Sequence, residues 1–254
     1  MPSLKKNLAH SARIINHLRI VRSSEHAEGL LARLSERHER ATIVSWLNAN
    51  ALTIAHRDDG LRGNLLKSSI LLRDGVGISI LLRLLGMEAG TNMNGTDFIP
   101  RIIRSYAGKS VALLGTQEPY LSRAAAAVEK MGARVVLRMD GFEPPAFYAE
   151  RLAGVEADLV ILAMGMPKQE QVASYLAEKL ERPCLILNGG AILDFLAERF
   201  PRAPYVWRRL RMEWLFRMIQ EPRRLGRRYV VGGAVFIAHT FQMVFMLRNR
   251  LKNA

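Results

Sequence analysis

Three short apolar runs constrain this chain more than any other feature: SVALLG (110–115), ADLVILAMG (157–165) and PCLILNGG (183–190). Each reaches glycine within a few residues and carries almost no polar side chain at alternate positions. A strand with one wet face alternates apolar and polar residues, whereas a strand covered on both faces does not. Three further β-rich stretches, ATIVSWL (41–47), SSILL (68–72) and ARVVLRM (133–139), read the same way. Segments with helical character follow or separate them near 49–57, 76–85, 95–107, 119–131, 145–153, 167–180 and 190–198. In 95–107, Phe98, Ile102 and Ile103 fall on one helical face. Short buried strands alternating with helices predict an α/β fold: a Rossmann-like, mostly parallel sheet with helices on both faces. The 254 residues suffice for one such domain with an appendage.

After Pro204 no further strand pattern appears, and arginine-rich helix runs to the end. The expected division is therefore an α/β core over 1–198, with residues 1–40 poorly defined, and a basic helical appendage over 199–254. Charge follows the same division. The net charge is +14, yet residues 23–198 are close to neutral; five bases and no acid lie in 1–22, and ten arginines lie in 199–228. Charge gathered at the ends points to one anionic partner, with nucleic acid, anionic lipid and a nucleotide diphosphate as candidates. In the tail YVVGGAVFIAHTFQMVFML (229–247), Ala234, Ile237, Phe241, Val244 and Phe245 form an apolar arc opposite the polar side chains. That pattern favours a helix lying on a membrane surface or packed on a partner over one spanning lipid, with a core helix as the alternative. A single cysteine, Cys184, excludes an internal disulfide framework, and MPSLKKNLAHSARIINHLRI has no continuous apolar run. A reducing, cytoplasmic setting without a secretory signal is expected.

Ligands of doubly wound sheets bind beyond the carboxyl ends of the strands. The residues placed there are Asn48 and Asn50, Asp74-Gly75, Gly115-Thr116-Gln117, Gly165 to Glu170, and Gly189-Gly190-Ala191 leading to Asp194. Each has a plain structural reading: Asn48 and Asp74 as helix caps, the glycines as tight turns, and Pro167 at the first helical position. Lys168 and Gln169, in the first turn of that helix, are expected to face outward beside free amides. Asp58-Asp59-Gly60 reads as a loop, and no Asp-x-Asp metal motif stands out.

The ordered motifs DGxG (74–77), NGTDFIP (94–100), ADLVILAMGMPKQE (157–170), GGAILDF (189–195), PRAP (201–204), EWLFR (213–217) and EPRRLGRR (221–228) resemble the WecG/TagA/CpsF family of bacterial glycosyltransferases. The resemblance covers about residues 41–229. It implies inverting transfer of a sugar from a UDP-sugar to a polyprenyl-diphosphate-linked saccharide at the inner face of the cytoplasmic membrane. It matches Asp74 to the proposed catalytic base, Asn48 to the asparagine of the first motif, and Gln169 to the glutamine of PKQE. Arg217, Arg224 and Arg227 match arginines thought to complete the active site. The family often has threonine two positions before the motif asparagine; here Trp46 stands there, with Ser45 before it.

The chemistry implied requires a base to take the acceptor hydroxyl proton and a positive group to receive the departing diphosphate. Asp74 supplies the first, with Gly75 and Gly77 expected to leave room for substrates. Arginines supply the second without a metal, because guanidinium–phosphate contacts are charge-assisted and directional. On one unbroken helix, Arg217, Arg224 and Arg227 would lie within about 80° of one another, Pro222 being the point where such a helix would break. Gly115, Gly165, Lys168, Glu170, Gly190 and Asp194 complete the expected substrate-binding set, with no cofactor; self-association is compatible. The competing reading is a non-catalytic Rossmann-like module binding nucleic acid through the basic end. Against it, the chain has no GxGxxG fingerprint, no helix-turn-helix or RRM signature, and few aromatics among the arginines.

Overall fold

The structure, a computed structural model, describes residues 2–209 and 212–252, with side chains described except at 2–7, 208, 224, 227–229 and 247–252. The chain opens with α1 (Pro2–Asn16), β1 (Leu18–Arg19) and α2 (Ser24–Ser35). It continues through β2 (Thr42–Leu47), α3 (Ala49–Ala55), α4 (Asp59–Lys67), β3 (Ile70–Arg73), α5 (Val76–Leu84) and α6 (Gly95–Ser105). Then follow β4 (Ser110–Gly115), α7 (Tyr120–Lys130), β5 (Arg134–Met139), α8 (Pro145–Ala153), β6 (Leu159–Ala163), α9 (Lys168–Lys179), β7 (Leu185–Asn188) and α10 (Ile192–Leu196). Three helices close the chain: α11 (Tyr205–Arg209), α12 (Glu213–Gln220) and α13 (Pro222–Lys252).

All seven strands pair in parallel, in the order β1-β3-β2-β7-β6-β4-β5. The period-two geometry of a strand sends neighbouring residues to opposite faces. Val111 and Leu113 of β4 accordingly join a core with α2, α6, α7 and α10, while Ala112 and Leu114 join one with α8 and α9. A third cluster, beneath β2 and β3, is built by α1, α3, α4, α5 and α13. Near-complete burial of β4, β6 and β7 explains their unbroken apolar sequences. β2 is followed by α3 on one face and β7 by α10 on the other. Adjacent strands whose helices leave to opposite sides open a crevice at their carboxyl ends, the usual ligand position of such sheets.

Four elements of the first seventy residues depart from expectation. Residues 1–40 contain α1, the two-residue β1 and α2, which buries Ala27, Leu30 and Leu34 at helical spacing behind the Ser23 cap. Asp58-Asp59-Gly60 is not a loop: the Asp58 carboxylate accepts from Leu61 N (2.8 Å) and caps α4, and Asp59 pairs with Arg62. Near the other end, no single helix carries Arg217, Arg224 and Arg227. Glu221 leaves helical geometry (φ −126°, ψ 60°), so Arg217 belongs to α12, while Arg224 and Arg227 fall on α13 with side chains outside the described residues. Pro222, with its fixed φ and missing N–H, starts a helix more readily than it continues one.

Helix α13 packs on α3, burying Phe236, His239, Thr240 and Met243. Its opposite face leaves Ile237 56 %, Phe241 67 % and Phe245 66 % exposed. The face on α3 is that of a core helix, and the apolar arc on the other face is exposed. No helix among the described residues is long and apolar enough to cross a membrane.

Candidate active site

A cavity of about 540 Å³ lies over the carboxyl ends of the strands. Asp74, Asn48, Gly165 and Gln169 line it from one half of the crevice, and Gly190, Asp194 and Arg217 from the other. Gly115, Lys168 and Glu170 do not reach its surface, contrary to expectation. The physical reasons differ. Gly115 (φ +145°) lacks a side chain because a Cβ would collide with the Ala163 carbonyl of the adjoining strand. Lys168 starts α9 on its solvent side, one residue after Pro167, which caps that helix instead of opening it. Glu170 is buried beneath the cavity.

Asp74 follows directly on β3, its backbone N–H donating to Leu47 O (2.9 Å) of β2. Gly75 then adopts φ +86°, a conformation that disfavours any side chain, and donates its N–H to Asn92 Oδ1 (2.9 Å). The preceding residue, Arg73, is buried. Its guanidinium donates to Ala89 O (2.7 Å), Gly75 O (3.0 Å), Gly90 O (3.1 Å) and Asn92 Oδ1 (3.4 Å). These bonds tie the Asp74 turn to the 89–92 loop, so the carboxylate stands on a fixed mount. Gly77 has a different reason from the one expected. A Cβ there would meet Ala49 Cβ at 3.1 Å and Phe236 Cε1 at 3.3 Å. The space is filled by α13, which thereby presses against α3, capped by Asn48, and against α5, which follows Asp74.

Asn48 caps α3, accepting from Ala51 N (2.9 Å) while also lining the cavity. Trp46 lines the cavity too and donates from Nε1 to Met93 O (2.5 Å), supporting the loop before α6. The Ser45 hydroxyl is buried between Ser68 Oγ (2.7 Å) and Asn188 Nδ2 (2.8 Å), so it does not stand in for the missing threonine. Gln169 turns inward: its Oε1 accepts from Gly190 N (2.9 Å) and its Nε2 donates to Glu170 Oε1 (2.8 Å). Burial pushes the Glu170 carboxyl up to about 7. Asp194 accepts from Thr116 Oγ1 (2.6 Å) and Arg199 (3.2 Å).

Arg217 packs its guanidinium over the Phe195 ring, 4.7 Å from the centroid, at the cavity wall. An arginine near one end of the chain and Asp74, in its first third, therefore share one cavity. Several lining residues were not singled out from the sequence. Phe142, in the loop after β5, is 72 % exposed. That loop folds back over the sheet, Gly141 lying close to Gly115 and Met164, and the Tyr148 hydroxyl braces it by donating to Asp140 O and accepting from Glu143 N. A large apolar residue within Asp-Gly-Phe-Glu-Pro was the available signal. Arg199, over the Tyr120 ring at 4.5 Å, was hidden among ten arginines. Arg73 announced itself only as a charge ending an apolar strand.

At the α13–α3 contact, the His56 and His239 rings stand nearly perpendicular with centroids 3.2 Å apart. Neither His239 nitrogen has a hydrogen-bond partner among the described residues, and burial lowers His239 to about 4 and His56 below its ordinary value. Among the described residues, no cluster of three or more His, Cys, Asp or Glu is placed to share a metal ion. Residues 15–250 match the sequence model of the Glycosyl transferase WecG/TagA/CpsF family, which extends the similarity beyond 41–229 to both ends of the fold.

Proposed function

Since the chain belongs to the WecG/TagA/CpsF family of glycosyltransferases, which serves cell-surface polysaccharide synthesis, we propose that its cavity binds a UDP-sugar and transfers the hexosyl group, with inversion, to a polyprenyl-diphosphate-linked saccharide. The observation that carries this reading is the sharing of one cavity by Asp74 and Arg217. The donor sugar is of the N-acetylmannosamine, N-acetylmannosaminuronic acid or glucose type. Asp74 takes the proton from the acceptor hydroxyl as its oxygen bonds to the anomeric carbon. The bond from that carbon to the diphosphate oxygen breaks, and its electron pair leaves with UDP. Arg217, with Arg224 and Arg227 of α13, receives the developing charge, making a divalent cation dispensable.

The base of the nucleotide rests on Phe142. From β6, under the Phe142 loop, to β3, which ends just before Asp74, is three strand spacings, about 14 Å, a span suited to an extended nucleotide sugar. Residues 1–198 supply the donor site, and 199–254 form the appendage that closes it and carries the arginines. The outward apolar face of α13 and the basic segment hold the enzyme on the inner face of the cytoplasmic membrane. Each base near an anionic surface contributes about 1 kcal/mol.

The test is transfer from a panel of UDP-sugars to a polyprenyl-diphosphate-linked acceptor in anionic vesicles, with and without EDTA. Turnover with one donor, retained in EDTA, is expected. Strong nucleic-acid binding with neither turnover nor vesicle association would replace this reading with that of a nucleic-acid module.

A further inference from the structure

Gln169, matched by the resemblance to the glutamine of PKQE and expected from its place in the first turn to face outward, has both of its polar atoms engaged inside the protein. Its Oε1 accepts from Gly190 N (2.9 Å), and its Nε2 donates to Glu170 Oε1 (2.8 Å). The two bonds fix which way the amide points: the Gly190 N–H can only donate and so takes the oxygen end, leaving the NH2 end to the accepting oxygen of Glu170. Gly190 has φ +62°, a left-handed backbone, and no side chain to hold it. Its peptide lines the cavity and leads into α10, whose Asp194 and Phe195 line the same wall, Phe195 beneath Arg217.

We propose that Glu170 is a positioning residue: through the Gln169 amide it fixes the Gly190 peptide, and with it the α10 wall of the cavity, without touching substrate. The functional consequence rests on reading that cavity as the donor site. Glu170 is 2 % exposed, and its Oε2 has no hydrogen-bond partner among the described residues. An ionised carboxylate offers about four acceptor positions, and here the Gln169 amide and the residue's own backbone N–H are the donors that serve them, outweighed by burial. The device therefore works with the carboxyl protonated, consistent with its elevation to about 7 by burial. Local unfolding that breaks the Gln169–Gly190 bond and admits water to Glu170 returns its carboxyl toward the ordinary 4.5, so the closed wall binds more protons than the open one. Closure is then strongest below about 4.5, weakens by up to tenfold per pH unit to about 7, and levels off above.

The experiment is native-state hydrogen exchange at the Gly190 amide in the ligand-free full chain, expressed as a protection factor over pH 5–8, with UDP affinity and transfer measured beside it. The wild type is expected to lose protection as pH rises to about 7. Glu170→Gln, which keeps the acceptor for Gln169 without a titrating group, is expected to stay within twofold of the wild-type protection at low pH and to show no pH dependence. Its UDP affinity and turnover are expected to follow its Gly190 protection, matching the wild type at low pH and exceeding it toward pH 8. Glu170→Ala is expected to lower Gly190 protection and UDP affinity at least tenfold. Unchanged Gly190 protection in Glu170→Ala overturns the relay. So does a Glu170→Gln protein that loses turnover with Gly190 protection and UDP affinity intact, since the carboxyl would then take part in the chemistry. If protection responds as stated but the wild type neither binds UDP nor transfers sugar, the positioning role stands and the glycosyltransferase reading fails.

Discussion

Phe236 and Phe241 lie on opposite faces of α13 and are expected to play opposite roles. Phe236 is buried, with its ring over Gly77 and near Ala49, whereas Phe241 is 67 % exposed. Truncating a buried phenylalanine to alanine costs about 3–5 kcal/mol, and a helix at the edge of a core relaxes enough to place Phe236→Ala at about 3. At 1.4 kcal/mol per tenfold, that raises the population with α13 lifted from α3 roughly a hundredfold. Native-state hydrogen exchange of the α13 amides between 232 and 246 reads this directly, with a rate increase of the same size expected. Phe241→Ala is expected to change those rates less than twofold. Instead it should weaken binding to anionic vesicles about tenfold or more, as about 1.5–3 kcal/mol is lost with one apolar side chain. Equal effects of the two variants on exchange, or none for Phe236→Ala, would refute the two-faced reading of α13.

Phe142→Ala is expected to raise the Kd for UDP about tenfold or more, since stacking of a base on an aromatic ring is worth about 1–3 kcal/mol, with thermal stability unchanged by calorimetry. Docking of α13 is expected to weaken in acid. His239 is lowered to about 4 when docked, against an ordinary 6.5, and His56 is lowered in the same direction with Arg57 and Arg62 nearby. The docked state thus binds fewer protons, and its advantage, complete above about 6.5, falls as pH drops toward 4. Exchange of α13 amides should accelerate over that window, corrected for intrinsic rates, and His239→Phe should remove most of the dependence. Arg217→Ala is expected to cut kcat at least a hundredfold in detergent solution, where membrane attachment plays no part; a loss seen only with vesicles would make Arg217 an anchor.

The parallel sheet was legible because β4, β6 and β7 are covered on both faces and therefore apolar at every position. β1 was not, because two residues carry no period. The α4 N-terminus was misread because Asp58-Asp59-Gly60 has loop composition, and only the bond from Leu61 N distinguishes a cap from a turn. At the site, strand ends located Asp74, Asn48 and Asp194 at the cavity. Spacing alone did not tell the inward Gln169–Glu170 pair from an outward one, since that depends on how α9 rolls against β7. Gly77 shows the same limit: a missing side chain marks a close approach, and the approaching group proved to be Phe236 in place of substrate. The Arg73 mount of Asp74 rests on carbonyls at 75, 89 and 90, which no side-chain motif records.

The central claim is that Asp74 removes the acceptor proton, and turnover of Asp74→Asn tests it most directly. Asparagine keeps the shape of the side chain while losing its basicity. Positioned general bases contribute typically 10²–10⁴-fold, so the account predicts that kcat for transfer from UDP-sugar to lipid-linked acceptor falls by about a thousandfold while the Kd for UDP stays within about twofold. Turnover near that of the wild type would contradict it.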